Sequence, residues 1–165
     1  MRIAGLVQDS IVDGPGFRFV VFTQGCLMHC DGCHNPATWD PDGGTDRSLN
    51  EITAEMLGNK LTDGLTLSGG EPFLQSAQCA ALASIAKENC LNVWTYTGYT
   101  FEELLIMAEP NPDIYSLLKL TDVLVEGPFI IAQKSFSLKW RGSSNQRVID
   151  IPKSLAAGTA VDLEM

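Results

Sequence analysis

The sequence predicts an α/β protein, a single domain built as an open, partial (β/α) barrel with a mainly parallel sheet. Short β-rich runs alternate with helical ones along the 165 residues, the order expected of βαβ units with right-handed crossovers. A closed eight-fold barrel takes about 250 residues, so this chain can build only part of one and leaves the sheet open on one side. Each conspicuous motif also falls just after a strand, the edge at which α/β proteins gather their sites.

The first predicted strand, Phe17 to Thr23, is a β-rich run that stops at Gln24-Gly25. Residues 34 to 47 are rich in Pro, Gly, Asp and Asn and read as loop, after which Ser48-Leu49-Asn50-Glu51 supplies a capping box into a short helix. Gly64 to Ser68 is a buried strand broken by Gly69-Gly70-Glu71-Pro72, and Gln75 to Glu88 has helical spacing and composition. Asn92 to Thr97 is the third strand. Beyond Gly98, helices from Phe101 to Ala108 and from Pro112 to Lys119 lead to a fourth, Asp122 to Glu126, which Gly127-Pro128 ends. A last short strand is expected over Arg147 to Ile151, and the chain beyond about residue 152 is expected to be a loose extension. There is neither an internal repeat nor a low-complexity segment, and residues 1–165 read as one domain.

Composition narrows the function. With 45% hydrophobic and 19% charged residues the chain can bury a substantial core. No run approaches the roughly 20 apolar residues of a membrane span, and Met1-Arg2-Ile3-Ala4-Gly5 lacks the apolar stretch of a signal peptide, so a cytoplasmic protein that engages no membrane is expected. Twenty acidic against eleven basic residues give a net charge of −9, which leaves no phosphate-neutralising surface and excludes nucleic acid as a partner. Five cysteines, an odd number, argue against a disulfide framework in a reducing compartment. Cys79, in an Ala-rich helical run, and Cys90, just beyond it, are read as packed structural thiols.

The most informative feature is Cys26-Leu27-Met28-His29-Cys30-Asp31-Gly32-Cys33, three thiols within eight residues and no fourth nearby. A closed structural zinc site or an ordinary ferredoxin cubane takes four protein ligands. Three thiolates on a four-iron cluster leave one iron free to bind a substrate or cofactor. Gly25 and Gly32 relieve backbone crowding in so tight a loop. Two other readings of the same residues stand beside this one: a Cys3His zinc site completed by His29 or His34, and a Cys30/Cys33 redox pair. The second leaves Cys26 unused and lacks a thioredoxin-like strand-to-helix context.

The cysteine loop and the Gly69-Gly70-Glu71-Pro72 turn together resemble the radical S-adenosylmethionine superfamily. Asp13-Gly14-Pro15-Gly16, the run Cys33 to Pro36 with Thr38-Trp39, Trp94 to Tyr99, and Arg141-Gly142-Ser143-Ser144-Asn145-Gln146-Arg147 narrow the resemblance to the proteins that activate anaerobic ribonucleoside-triphosphate reductase, over roughly residues 5 to 150. The resemblance implies that Cys26, Cys30 and Cys33 ligate one 4Fe-4S cluster with an open iron site, that S-adenosylmethionine chelates the open iron, and that its reductive cleavage yields a 5′-deoxyadenosyl radical. That radical would take the α-hydrogen of a glycine in the reductase's glycyl-radical subunit, with a flavodoxin-like protein as electron donor. Cofactor contacts are implied for Gly32, His34, Ser68, Gly69, Gly70, Glu71, Thr97 and Glu126. Glu71 would accept from the cofactor's ammonium, His34 would lie near the adenine and Glu126 would reach the ribose. Gly32 stands where the wider superfamily often has an aromatic residue, and Glu126 where Asp is more usual.

Asp13 to Gly16 reads as turn chemistry outside catalysis. Trp39, Trp94 and Trp140 read as packing, and Arg141 to Arg147 as a polar turn at the site edge or facing a partner. The alternatives are an activase of another glycyl-radical enzyme, a small radical cyclase acting on a pterin-like molecule, and a non-catalytic zinc-binding module with Cys26, Cys30, Cys33 and His34 as ligands. Many activases of other glycyl-radical enzymes carry a cysteine-rich insertion after the cluster loop, and residues 40 to 64 contain no cysteine.

Overall fold

The computed structural model describes residues 1–165. In chain order its strands are β1 (Arg2–Ser10), β2 (Arg18–Thr23), β3 (Thr45–Asp46), β4 (Gly64–Gly69), β5 (Asn92–Tyr96), β6 (Val123–Glu126) and β7 (Arg147–Asp150). The helices are α1 (Leu49–Gly58), α2 (Ser76–Glu88), α3 (Phe101–Ala108), α4 (Pro112–Leu120) and α5 (Ile151–Ala157). One seven-stranded mixed sheet runs β3-β1-β2-β4-β5-β6-β7. Its middle, β2-β4-β5-β6, is parallel, and β1, β3 and β7 pair antiparallel at the flanks. Four of the five strands expected from the sequence form that parallel middle and the fifth is the antiparallel β7, so the sheet is parallel in its middle and mixed overall. No helix is long and apolar enough to cross a membrane.

Alternation along the strands sorts side chains onto two faces. Phe19, Val21, Leu65, Leu67, Val93 and Leu124 join one 22-residue core with Ile52 and Met56 of α1, Leu82 and Ala86 of α2, Phe101 and Leu104 of α3, and Leu117 of α4. On the other face Trp94, Val123, Val125 and Val148 form a smaller cluster. Arg18 lies fully buried beside it, its guanidinium donating to Thr66 Oγ1 at 3.0 Å and to the Leu65 carbonyl at 2.6 Å, with a further bond to Asn92 Oδ1. A buried cation without hydrogen bonds would be prohibitively costly; here the strand carbonyl and side chains satisfy it.

Two expectations are corrected. The segment Arg2–Ser10 is a strand although only Ile3 and Ser10 in it are buried, so it shows no apolar alternation to read. It pairs with β2 through Ile3↔Thr23 and Val7↔Val20, with irregular register between. The chain beyond residue 152 is held rather than loose. Pro152 sits in the first turn of α5, where its fixed φ suits a helix start. Gly158 ends that helix at φ 71°, and the chain returns along β7, Leu163 N donating to the Val148 carbonyl at 2.8 Å. The expected capping box of α1 is present, with Ser48 and Glu51 bonding reciprocally. Cys79 is buried as expected, whereas Cys90 is exposed.

Candidate active site

The parallel strands end together, and the segments that follow them enclose a cleft of about 470 Å³. The cysteine loop leaves β2 through Gln24, which is buried and donates from Nε2 to the carbonyls of Ala37 and Asp40 at 2.8 and 2.7 Å. Gly25 N donates to the Thr38 carbonyl at 2.7 Å and Cys26 N to the Trp39 carbonyl at 3.2 Å. The Pro- and Asp-rich stretch after the cysteines, expected as plain loop, is therefore the backing that the cysteine loop is bonded to. Positive φ at Gly25 (100°), His29 (47°) and Gly32 (74°) turns the loop back on itself. The His29 ring stacks on Trp39, 4.5 Å between centroids at 17°.

All three loop cysteines are free and half-buried, and all three line the cleft. Burial, the largest influence, raises the Cys26 thiol above its ordinary pKa. Asn35 N donates to Cys33 Sγ at 3.4 Å, the kind of backbone bond to sulfur that tunes iron–sulfur ligation. No trio of His, Cys, Asp or Glu converges closely enough to enclose one metal ion. Tetrahedral zinc, with bonds of about 2.0–2.3 Å, needs that convergence; thiolates that each take a separate iron of a larger cluster do not. Three thiols from one loop, open to a cleft, fit a cluster with an unfilled vertex.

The Gly69-Gly70-Glu71-Pro72 turn is fastened to the root of the cysteine loop. Gly70 N donates to the Thr23 carbonyl at 2.7 Å and Glu71 N to the Gly25 carbonyl at 2.8 Å. A Cβ on Gly69, at φ 95°, would lie 2.5 Å from Thr23 N, and one on Gly70 would lie 2.4 Å from Gly25 O. Glycine is required here by backbone meeting backbone. The third turn joins them, because a Cβ on Gly98 would meet Met28 Cγ at 2.7 Å.

Glu71 is 1% exposed. Its Oε1 accepts from Thr97 Oγ1 at 2.9 Å and Phe73 N at 3.1 Å, and its Oε2 from Gly98 N at 2.9 Å. Burial pushes its pKa up to about 7, although the Gly98, Phe73 and Thr97 donors pull the other way. Oε2, with one donor, keeps capacity for another. Of the residues expected at the cofactor, His34, Ser68, Gly69, Gly70, Glu71 and Thr97 line the cleft with the three cysteines. Gly32 lies outside the lining and abuts Ile131, whose Cδ1 a Cβ would meet at 2.6 Å.

Glu126 also stands outside, and the ribose contact expected of it is not what this geometry provides. It is 1% exposed, and its carboxylate accepts from Phe101 N at 2.6 Å and from Arg147 through both Nε and Nη2. The antiparallel partner β7 brings Arg147 directly opposite it. The cleft also gathers residues that the sequence did not mark as its walls, among them Asp13, Tyr96, Phe129 and Trp140, and it takes Arg141 and Gln146 from the run read as a polar turn at the site edge or facing a partner. Trp140 packs edge-on to Trp94 at 5.8 Å and 73°. The Arg141–Arg147 run was the available signal: an antiparallel β7 must begin where the parallel strands end, which carries the preceding turn to the cleft.

Comparison with known proteins follows the same residues. The family described as "4Fe-4S single cluster domain" matches residues 12–149. The anaerobic ribonucleoside-triphosphate reductase-activating protein of Vibrio cholerae is 37% identical over 145 residues, covering 83% of this chain and 90% of that protein. The protein of the same name from Escherichia coli (strain K12) is 34% identical over 149 residues, 84% of this chain and 92% of that one. The pyruvate formate-lyase-activating enzyme of Streptococcus mutans is 46% identical over 97 residues, 53% of this chain and 37% of that one.

Proposed function

The chain belongs to the radical S-adenosylmethionine family of anaerobic ribonucleoside-triphosphate reductase-activating proteins, and from that premise we propose that it installs the glycyl radical of such a reductase. The observation that carries the reading is the fastening of the glycine turn to the root of the three-cysteine loop, Glu71 N to the Gly25 carbonyl at 2.8 Å, on the wall of one cleft. A cluster and the methionine end of S-adenosylmethionine must meet at one point, and this bond holds their two cradles together.

Cys26, Cys30 and Cys33 would hold the 4Fe-4S cluster. Held by those thiolates, such a cluster would supply one-electron reduction of the carbon–sulfur bond of S-adenosylmethionine, giving methionine and a 5′-deoxyadenosyl radical that takes a glycine hydrogen atom. The chain's own residues bind and orient. Gly69 and Gly70 let the backbone come close to the cofactor, Ser68 and Thr97 border the same wall, and Oε2 of Glu71 offers the ammonium a charge-assisted hydrogen bond. His34, the residue after Cys33 and part of the cleft wall, would face the adenine. Holding the ligand so that the reacting atoms are near each other is itself a large part of such catalysis. The reductase's glycyl-radical subunit would have to present the glycine that loses its hydrogen atom at the cleft mouth.

The finer readings belong with this one: a flavodoxin-like protein as electron donor, a cytoplasmic location, and the parallel middle of the sheet as part of an open (β/α) barrel. The similarity to a pyruvate formate-lyase-activating enzyme supports a second reading, activation of another glycyl-radical protein, and one experiment separates them. Reconstituted, reduced protein and S-adenosylmethionine are mixed without oxygen with the anaerobic reductase or with pyruvate formate-lyase, and each sample is examined by electron paramagnetic resonance. A glycyl doublet is expected with the reductase. A doublet with the lyase alone selects the second reading. One zinc per chain and no cleavage of S-adenosylmethionine would leave only a binding module. Cys30→Ala should hold little iron and give no doublet.

A further inference from the structure

Arg141 is the one permanent cation on the cleft wall; apart from His34, the ionisable groups there are Asp13, Glu71, Tyr96 and three cysteines. Its surroundings are built. Gln146 Oε1 accepts from Gly142 N at 2.9 Å and Ser143 N at 3.1 Å, and Gln146 Nε2 donates to the Gly127 carbonyl at 3.0 Å. Asn145 Nδ2 donates to the Pro128 carbonyl at 2.7 Å. The turn is thus bonded to the end of β6, and Arg141 adds a bond from Nη1 to the Gln146 carbonyl.

The rest of the guanidinium is unused. Nε is buried with no hydrogen-bond partner, and Arg141 enters none of the chain's ion pairs. A buried donor left unpaired is costly, and a guanidinium on a cleft wall in that state is a vacant fork for an anion. Arg141 and the three cysteines line the same cleft, and the turn that carries Arg141 is linked to the cysteine loop through Phe129. A Cβ on Gly142 would sit 3.1 Å from the Phe129 ring, and that ring lies 5.7 Å from His34, the residue after Cys33.

A cleft lined by thiols and carboxyl groups disfavours the anionic end of a ligand unless a fixed cation faces it. S-Adenosylmethionine carries one anionic group, its α-carboxylate. We propose that Arg141 is the carboxylate-binding residue of this cleft, taking the α-carboxylate of S-adenosylmethionine through Nε–H and the Nη2 edge. A carboxylate has about four acceptor sites, enough for a guanidinium and an iron together. This rests on the reading that the cleft binds S-adenosylmethionine.

The test is equilibrium dialysis of reconstituted, oxidised protein, which binds without turnover, against S-adenosylmethionine and its decarboxylated form. Arg141→Met should weaken S-adenosylmethionine by about 10- to 100-fold and the decarboxylated ligand by less than about twofold, with iron content and melting temperature unchanged. Arg141→Lys, which keeps charge but not the fork, should fall between. Equal losses for the two ligands overturn the assignment, as does undiminished binding of S-adenosylmethionine. If the variants bind it normally but no longer bind the reductase, Arg141 serves a carboxylate of the partner instead. Failure of both variants to fold makes Arg141 structural and overturns the assignment too. Should wild-type protein bind neither ligand, the reading of the cleft fails, not the role of Arg141 within it.

Discussion

Thr97 Oγ1 donates to Glu71 Oε1 at 2.9 Å, so a buried carboxylate ties the end of β5 to the turn that follows β4. The same carboxylate takes Gly98 N, and Gly98 lies against Met28 of the cysteine loop. One side chain therefore fixes three turns that must keep their spacing for a cofactor to bridge them.

Burial of this carboxylate should make stability fall with rising pH. Burial pushes Glu71 up to about 7 from an ordinary 4.5. Between those values the native chain keeps a proton that the unfolded chain has released, so the free energy of unfolding declines as pH rises through the window. The contribution present near pH 4 is lost by about pH 8 and amounts to about 3 kcal/mol. Urea unfolding of iron-free wild-type protein and Glu71→Gln at several pH values measures it. The variant should show a shallower decline, and parallel curves would refute the account.

Gly70→Ala should harm the fold and the cluster site together. Its Cβ would lie 2.4 Å from Gly25 O, a backbone atom that cannot rotate away. Relief requires moving the residue just before Cys26. A loss of about 2–3 kcal/mol is expected from such a clash, with fewer irons bound per chain after reconstitution, by urea titration and iron assay. Gly58→Ala, where a Cβ meets nothing within 4 Å, is the control.

Arg147→Ala should cost more than a surface ion pair, because Glu126 is 2% exposed at its side chain while Arg147 is 37% exposed. The variant leaves a buried carboxylate with Phe101 N as its remaining donor. Solvent reaching Arg147 moderates the loss to about 1–3 kcal/mol. Adding Glu126→Gln removes the stranded charge and should recover part of it. A double variant less stable than Arg147→Ala would contradict this.

Thiol labelling should separate the two cysteines outside the loop. Cys79 is buried and its thiol is pushed up to about 12 by burial, whereas Cys90 is exposed. The thiolate is the reactive form. Iodoacetamide followed by peptide mass spectrometry should mark Cys90 in native protein and Cys79 only after unfolding.

Much of the site was legible because its chemistry is local. The spacing of Cys26, Cys30 and Cys33 and the glycines before Glu71 are each contained within eight residues, and each follows a strand whose apolar run is unmistakable. The strand β1 was not legible, since a flanking strand with mostly exposed side chains carries no alternation. Pro152 was misread as the end of structure when it opens α5.

By itself the sequence determined the spacing of the three loop cysteines, the parallel middle of the sheet and the edge where the cleft lies, because residue spacing and hydrophobic period act over a few residues. Only the tertiary structure decided that Glu126 is engaged by Arg147, 21 residues away, that Asp13 borders the cleft, and that Arg141 reaches it with part of its guanidinium unpartnered. Those relations depend on which strands become neighbours and in which direction they run. Pairing of that kind is set by burial across the whole sheet, not by any one segment.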